Sequence, residues 1–137
     1  MTAPWPSRDA LRITGLRVIV TAPEGVNLVV VRVDTSDPGL YGLGCATFTQ
    51  RFAAVVAALE RHIAPLIVGR HPADISDLTR MLHYSSYWRS GPVLNSALSG
   101  VDMALWDIAG KRAGMPVYEL LGFTADHPWP IDARELP

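Results

Sequence analysis

Cysteine and lysine are almost missing from this chain: Cys45 and Lys111 are its sole examples. A lone thiol cannot close an internal disulfide, which separates the chain from small cystine-stapled secreted scaffolds and makes a cytoplasmic location the expectation. The scarcity of lysine among 12 basic residues reads as genome composition rather than function. Charge of one sign is also lacking. Thirteen acidic residues bring the net charge to -1, so no basic field exists to hold nucleic acid or an acidic membrane surface. No long apolar run occurs. The longest, Val26 to Val33, is broken by Asn27 and Arg32 and falls far short of the roughly 20 residues that span a bilayer. Residues 1–10 carry Trp5, two prolines and Asp9 instead of a basic patch leading into an apolar stretch, so they read as a flexible N-terminus and not as a secretory signal.

What is present suits one soluble domain: 137 residues, 49% hydrophobic and 18% charged. Three front segments alternate as strands do. Ile13 to Thr21 places Leu16, Val18 and Val20 on one face, and Leu28 to Thr35 does the same with Val29, Val31 and Val33. Leu40 to Phe48 alternates Tyr41, Leu43, Cys45 and Thr47 against small residues. Short turn-forming stretches, Ala22 to Gly25 and Asp34 to Gly39, join them as an antiparallel meander. The period then changes. Phe52, Val55, Val56, Leu59 and Ile63 predict a helix from Arg51 to Ile63 that ends near Pro65. A second helix is predicted from Pro72, with Ile75, Leu78 and Leu82 inward. A third starts near Pro92 behind Ser90 as N-cap, and carries Leu94, Ala97, Leu98, Val101, Ala104, Leu105 and Ile108 to a close at Gly114. Val117 to Leu121 adds a short turn of helix. Strands followed by helices give the α+β class, a three-stranded antiparallel meander with a bundle of three to four helices. After Gly122 the chain loses periodicity and gains three prolines, so residues 123–137 read as an irregular tail foreign to the domain.

Catalytic constellations do not emerge from spacing. His62, His71, His83 and His127 have no partner at metal-ligand spacing and read as surface or cap-region residues. Asp102 and Asp107 sit on one predicted helix about 140° apart, so they cannot present paired carboxylates and should make local contacts, Asp107 with Lys111. Gly39, Gly42 and Gly44 lack the sequence of a phosphate loop and suit a tight turn and close strand packing. Cys45 reads as a small buried hydrophobe. Trp88 and Arg89, before Gly91 and Pro92, read as ordinary packing or as a docking edge.

Three runs resemble a known family. They are Tyr87-Trp88-Arg89-Ser90-Gly91-Pro92, then Asp102-Met103-Ala104-Leu105-Trp106-Asp107-Ile108-Ala109-Gly110-Lys111, then Pro116-Val117-Tyr118-Glu119-Leu120-Leu121-Gly122. The second and third are similar to the closing helix of enolase-superfamily capping domains in the mandelate racemase and muconate-lactonizing branch. The first resembles the narrower mannonate dehydratase and acid-sugar dehydratase group, as does Tyr41 to Arg51. The likeness spans residues 11–122.

The resemblance implies a capping domain that covers a barrel active site, where Mg2+ stabilises an enediolate and a 3-hydroxyl leaves as water. The metal ligands, the base and the acid are all expected from the barrel, so this chain is expected to bind no cofactor, hold no catalytic residue and be silent alone. Its own part is substrate selection through Asn27, Thr49 and Gln50, on two loops covering residues 22–27 and 48–51. Trp88, Arg89 and Trp106 are expected to face the barrel. Mannonate dehydratases carry asparagine where this chain has Thr49, whose single hydroxyl replaces a group that both donates and accepts; altronate- or gluconate-type substrates then come into view. Thr49 also reads as a helix N-cap. The family continues past Gly122 into a barrel strand, and the loss of likeness there is what a frameshift or truncated gene produces. A stand-alone binding module, or one half of a split enzyme, are the alternatives.

Overall fold

A computed structural model describes residues 9–123. Most of the flexible N-terminus and all but the first residue of the irregular tail expected from the sequence therefore lie outside the described residues. The meander is present. Strands β1 (Ile13–Thr21), β2 (Leu28–Thr35) and β3 (Tyr41–Cys45) form one antiparallel sheet in the order β1-β2-β3. Val18 faces Val31 across the first pair, and Val31 faces Gly44 across the second. Val29, Val31 and Val33 are fully buried on the face that meets the helices, as their alternation predicts. Each such side chain contributes about 1.5–3 kcal/mol of transfer free energy, upper bounds because the unfolded chain is itself partly collapsed.

β3 reverses one expectation. Its core face is the small-residue face: Gly42 and Gly44 lie against helix α4 (Pro92–Ala113), while Leu43 and Cys45 are exposed. A Cβ on Gly42 would sit 1.9 Å from the carbonyl oxygen of Ala104. The approach of strand and helix backbones leaves no room for a side chain, so the larger residues turn outward and Cys45 is not a core hydrophobe. Its Sγ instead lies 3.1 Å from Thr47 Oγ1.

The first helical segment is longer than predicted. A single 3-10 turn (Thr49–Arg51) leads into α1 (Phe52–Ala57), a π-helical turn (Ala58–Ile63) and α2 (Ala64–Ile67). Pro65 lacks the N–H that would bond back one turn, and widening the preceding turn lets the helix pass it. α3 (Ile75–Tyr84) starts three residues after Pro72, with Asp74 at its N-cap, and buries Ile75, Leu78 and Leu82. α4 begins at Pro92, but its N-cap is Gly91 and no side chain caps it; Ser90 is left-handed, at φ 74°. Leu94, expected inward, is exposed, because the burial stripe begins only at Ala97. The helix ends at Gly114 with φ 67°, the left-handed cap that glycine adopts without strain. α5 (Val117–Leu120) completes the domain. The core thus lies between the sheet and α4, closed at one side by α1 to α3.

Candidate functional site

The two loops expected to face substrate emerge from the same end of the sheet. The β1–β2 connection leaves the ladder at Thr21, turns through Glu24 and Gly25, both with positive φ, and re-enters at Leu28. On the other side of β2, Ala46 N–H donates to Val29 O at 2.9 Å. The Val29 N–H donates to Thr47 Oγ1 at 3.0 Å. A side-chain hydroxyl thus replaces the next rung of the ladder and releases the chain into the 3-10 turn. Asn27 is half-buried, and Thr49 and Gln50 are exposed. None of the three side chains has a hydrogen-bond partner among the described residues. Thr49 does not cap a helix: the N-cap position belongs to Phe48, and no side chain bonds there. Its hydroxyl is left free at the mouth of the loops. Among the described residues no charged side chain is bonded across the two loops.

Charge gathers at the opposite end of the sheet. Asp34, six residues further along β2 and so about 20 Å away, accepts from Arg17 Nε and Arg32 Nε, both at 2.8 Å. Hydrogen bonds from Arg17 are the main cause holding the Asp34 carboxyl below the usual carboxylate range; desolvation opposes them and Arg32 adds to them. The Arg32 guanidinium lies 3.7 Å over the Tyr41 ring, and Lys111 Nζ lies 4.4 Å from the same ring.

The two helical aspartates serve the fold. Asp107 Oδ2 accepts from Leu43 N–H at 2.9 Å and from Lys111 Nζ at 2.7 Å, and Lys111 also donates to Tyr41 O at 2.7 Å. Together they satisfy backbone groups along the free edge of β3, which blunts it against pairing with another chain. Asp102 accepts from Thr79 Oγ1 at 2.8 Å and ties α3 to α4.

One cluster has no signature in the sequence. His71 is buried, and its Nδ1 accepts the Ala73 N–H at 3.1 Å, so the ring hydrogen sits on Nε2 and is donated to Asp9 Oδ1 at 2.5 Å. Arg112 also binds the Asp9 carboxylate. The bond to His71 is the largest cause of a lowered Asp9 pKa. Partners separated by 62 and 103 residues follow no local spacing rule, so His71 is no surface histidine and Asp9 is anchored rather than free.

The residues expected to dock a barrel divide between two places. Trp106 packs partly on the core and lines a mainly apolar groove with Leu43, Met103, Val117 and Leu121, edged by Asp102, Asp107 and Lys111. Trp88 is 80% exposed beyond the N-terminus of α4, about 20 Å along the helix from Trp106. Among the described residues no group of three or more His, Cys, Asp or Glu side chains could hold a metal ion. No helix among them is long and apolar enough to cross a membrane.

The profile of the mandelate racemase / muconate lactonizing enzyme N-terminal domain matches residues 8–122. The chain belongs to this family. Within it, the chain is 81% identical over 119 residues to a D-galactonate dehydratase family member of Catenulispora acidiphila, covering 87% of this chain and 28% of the relative. It is 60% identical over 112 residues to the D-galactonate dehydratase family member RspA of Pantoea ananatis, covering 82% and 27%. Among solved structures, an enolase from Pantoea ananatis with bound D-gluconate and Mg superposes with a TM-score of 0.82 at 58% identity, over 84% of this chain and 28% of that one. An enolase-superfamily member from Salmonella Typhimurium gives 0.76 at 28% identity, over 84% and 30%. This mandelate racemase-type N-terminal domain therefore spans less than a third of the length of these relatives.

Proposed function

We propose that this chain is the capping portion of a Mg2+-dependent acid-sugar dehydratase, closing the active site and selecting substrate while the chemistry belongs to a barrel domain. The observation that carries this reading is the convergence of the 22–27 and 46–51 loops at one end of the sheet, with the Asn27, Thr49 and Gln50 side chains free of internal bonds. Such groups can hydrogen-bond sugar hydroxyls at no cost to the fold. A relative solved with D-gluconate and Mg, and relatives in the D-galactonate dehydratase family, favour a hexonate as substrate. The described residues offer no ligand set for Mg2+, and its ligands are assigned to the barrel. The apolar groove around Trp106, beside the residues where the chain leaves α5, is the surface we assign to barrel docking. Trp88 and Arg89 do not join it.

The test is a chimaera in which residues 8–122 replace the matching segment of the Catenulispora acidiphila relative. With Mg2+ and a panel of hexonates, formation of a 2-keto-3-deoxy acid is expected from the chimaera and not from this chain alone. A folded chimaera that binds Mg2+ yet dehydrates no acid sugar would overturn the reading and favour a stand-alone binding module.

A further inference from the structure

A second surface lies away from the loops. A groove of about 440 Å3 opens between the π-helical turn, the end of α3, the Ser85–Ser90 segment and the start of α4. This volume is in the range of small-molecule sites. Its floor is apolar, formed by Ala58, Ile63 and Leu82, all buried. Its rim carries Arg89, His62, His83, Asn95 and three serines, and no carboxylate among the described residues lines it. The Arg89 guanidinium is held in place: its Nε–H donates to Ser86 O at 3.4 Å and its Cζ lies 4.4 Å from the centre of the Tyr84 ring. Both Nη groups remain without a partner among the described residues, as does the side-chain amide of Asn95. An arginine already fixed by stacking loses little further freedom when it binds a two-oxygen anion.

We propose that this groove binds a small organic monocarboxylate with a compact apolar body. The carboxylate pairs with the Arg89 Nη fork, and the body fills the floor left by Ala58, Ile63 and Leu82. One permanent cation suits a monoanion better than a phosphate ester. Ser85, Ser86, Ser90 and Asn95 lie on the lining, but the buried floor offers only hydrocarbon, which favours an apolar body over a hydroxylated one, so the ligand differs in class from the proposed substrate and the inference stands apart from that reading.

Benzoate is the probe, titrated into the isotopically labelled 137-residue chain and followed by amide NMR. Saturable shifts are expected across residues 85–98 with a Kd of about a millimolar, as suits one ion pair at a solvent-open rim. Arg89→Gln should weaken binding about tenfold or more, and Arg89→Lys should weaken it less because charge without the fork is retained. Benzamide, of the same shape without charge, should bind far more weakly, and gluconate should not shift these amides. The proposal is overturned if benzamide matches benzoate, if Arg89→Gln leaves the titration unchanged, or if no shift saturates. Arg89 is exposed and Leu94→Asp adds a carboxylate at the rim of the groove, so a second, surface-placed variant should abolish binding with the spectrum otherwise retained.

Discussion

A methyl group on Gly44 would lie 1.9 Å from the carbonyl oxygen of Gly100, so β3 and α4 meet backbone to backbone. Gly44→Ala must then push strand from helix, and a destabilisation of about 3 kcal/mol or more is expected. Gly42→Ala meets the Ala104 carbonyl at the same distance and should behave alike. Gly15→Ala is the control, since nothing lies within 4 Å of its added carbon. Urea denaturation of the three variants checks this; a Gly44→Ala variant as stable as Gly15→Ala would show that the close approach is absent in solution.

Asp107 protects the free edge of β3. Asp107→Ala removes the acceptor for Leu43 N–H and a partner of Lys111, and should cost about 1 kcal/mol because water partly replaces both bonds. Amide exchange at Leu43 should accelerate while exchange at Val31 keeps its wild-type rate. Uniform acceleration at both would instead mean global destabilisation, with no particular role at the edge.

Acid should weaken the domain through Asp34 and Asp9. Both carboxyls are held below their ordinary pKa in the folded state, Asp34 chiefly by Arg17 and Asp9 chiefly by His71. A lowered folded pKa means that the unfolded chain binds the proton first. The stabilisation is therefore complete above the unfolded value of about 4 and is lost as pH falls below it toward the folded one. Melting temperature should drop over that window, and Asp34→Asn should flatten the drop. Because one partner of each main pair, Arg17 and Asp9, is exposed, added salt should shrink the effect.

Thr49 should be expendable to the fold and felt by the substrate. Its hydroxyl caps no helix, so Thr49→Ala should change stability by less than about 0.5 kcal/mol. In the chimaera, Thr49→Asn should shift the ratio of kcat/KM values among hexonates, since an amide donates and accepts from two separate atoms and reaches further than a hydroxyl, which does both from one. An unchanged ratio would remove Thr49 from substrate selection.

Alternation in Leu28 to Thr35 was enough to place Val29, Val31 and Val33 in the core, and the three-four spacing of Ala97 to Ile108 was enough to find the buried face of α4. Both are periodicities of the backbone itself, so burial follows from chemistry at regular intervals. Residue chemistry misread Cys45 as a core hydrophobe, because in β3 the close approach of α4 at Gly42 and Gly44, expected of those glycines, sets the inward face. Helical spacing also placed Leu94 inside, where it lines the rim of a groove and stays 40% exposed, and Ser90 was expected as the cap where Gly91 holds that position.

The candidate site divides in the same way. The motifs around Trp106 and Gly91 pointed to the family, and the family profile over residues 8–122 agrees. What those motifs do was not readable from their letters. The Asp107–Lys111 contact follows from their four-residue spacing and is present, but that the pair closes a strand edge, and that Asp9, His71 and Arg112 meet across most of the chain, is not written locally. By itself the sequence determined the class of the fold, the order of its elements and its kinship, all carried by local pattern and short motifs. Only the tertiary structure decided that the 22–27 and 46–51 loops share an end, that β3 turns its glycines inward, and that Arg89 overlooks a groove far from Trp106. Those facts depend on which distant segments come into contact, and contact between distant segments is settled by packing.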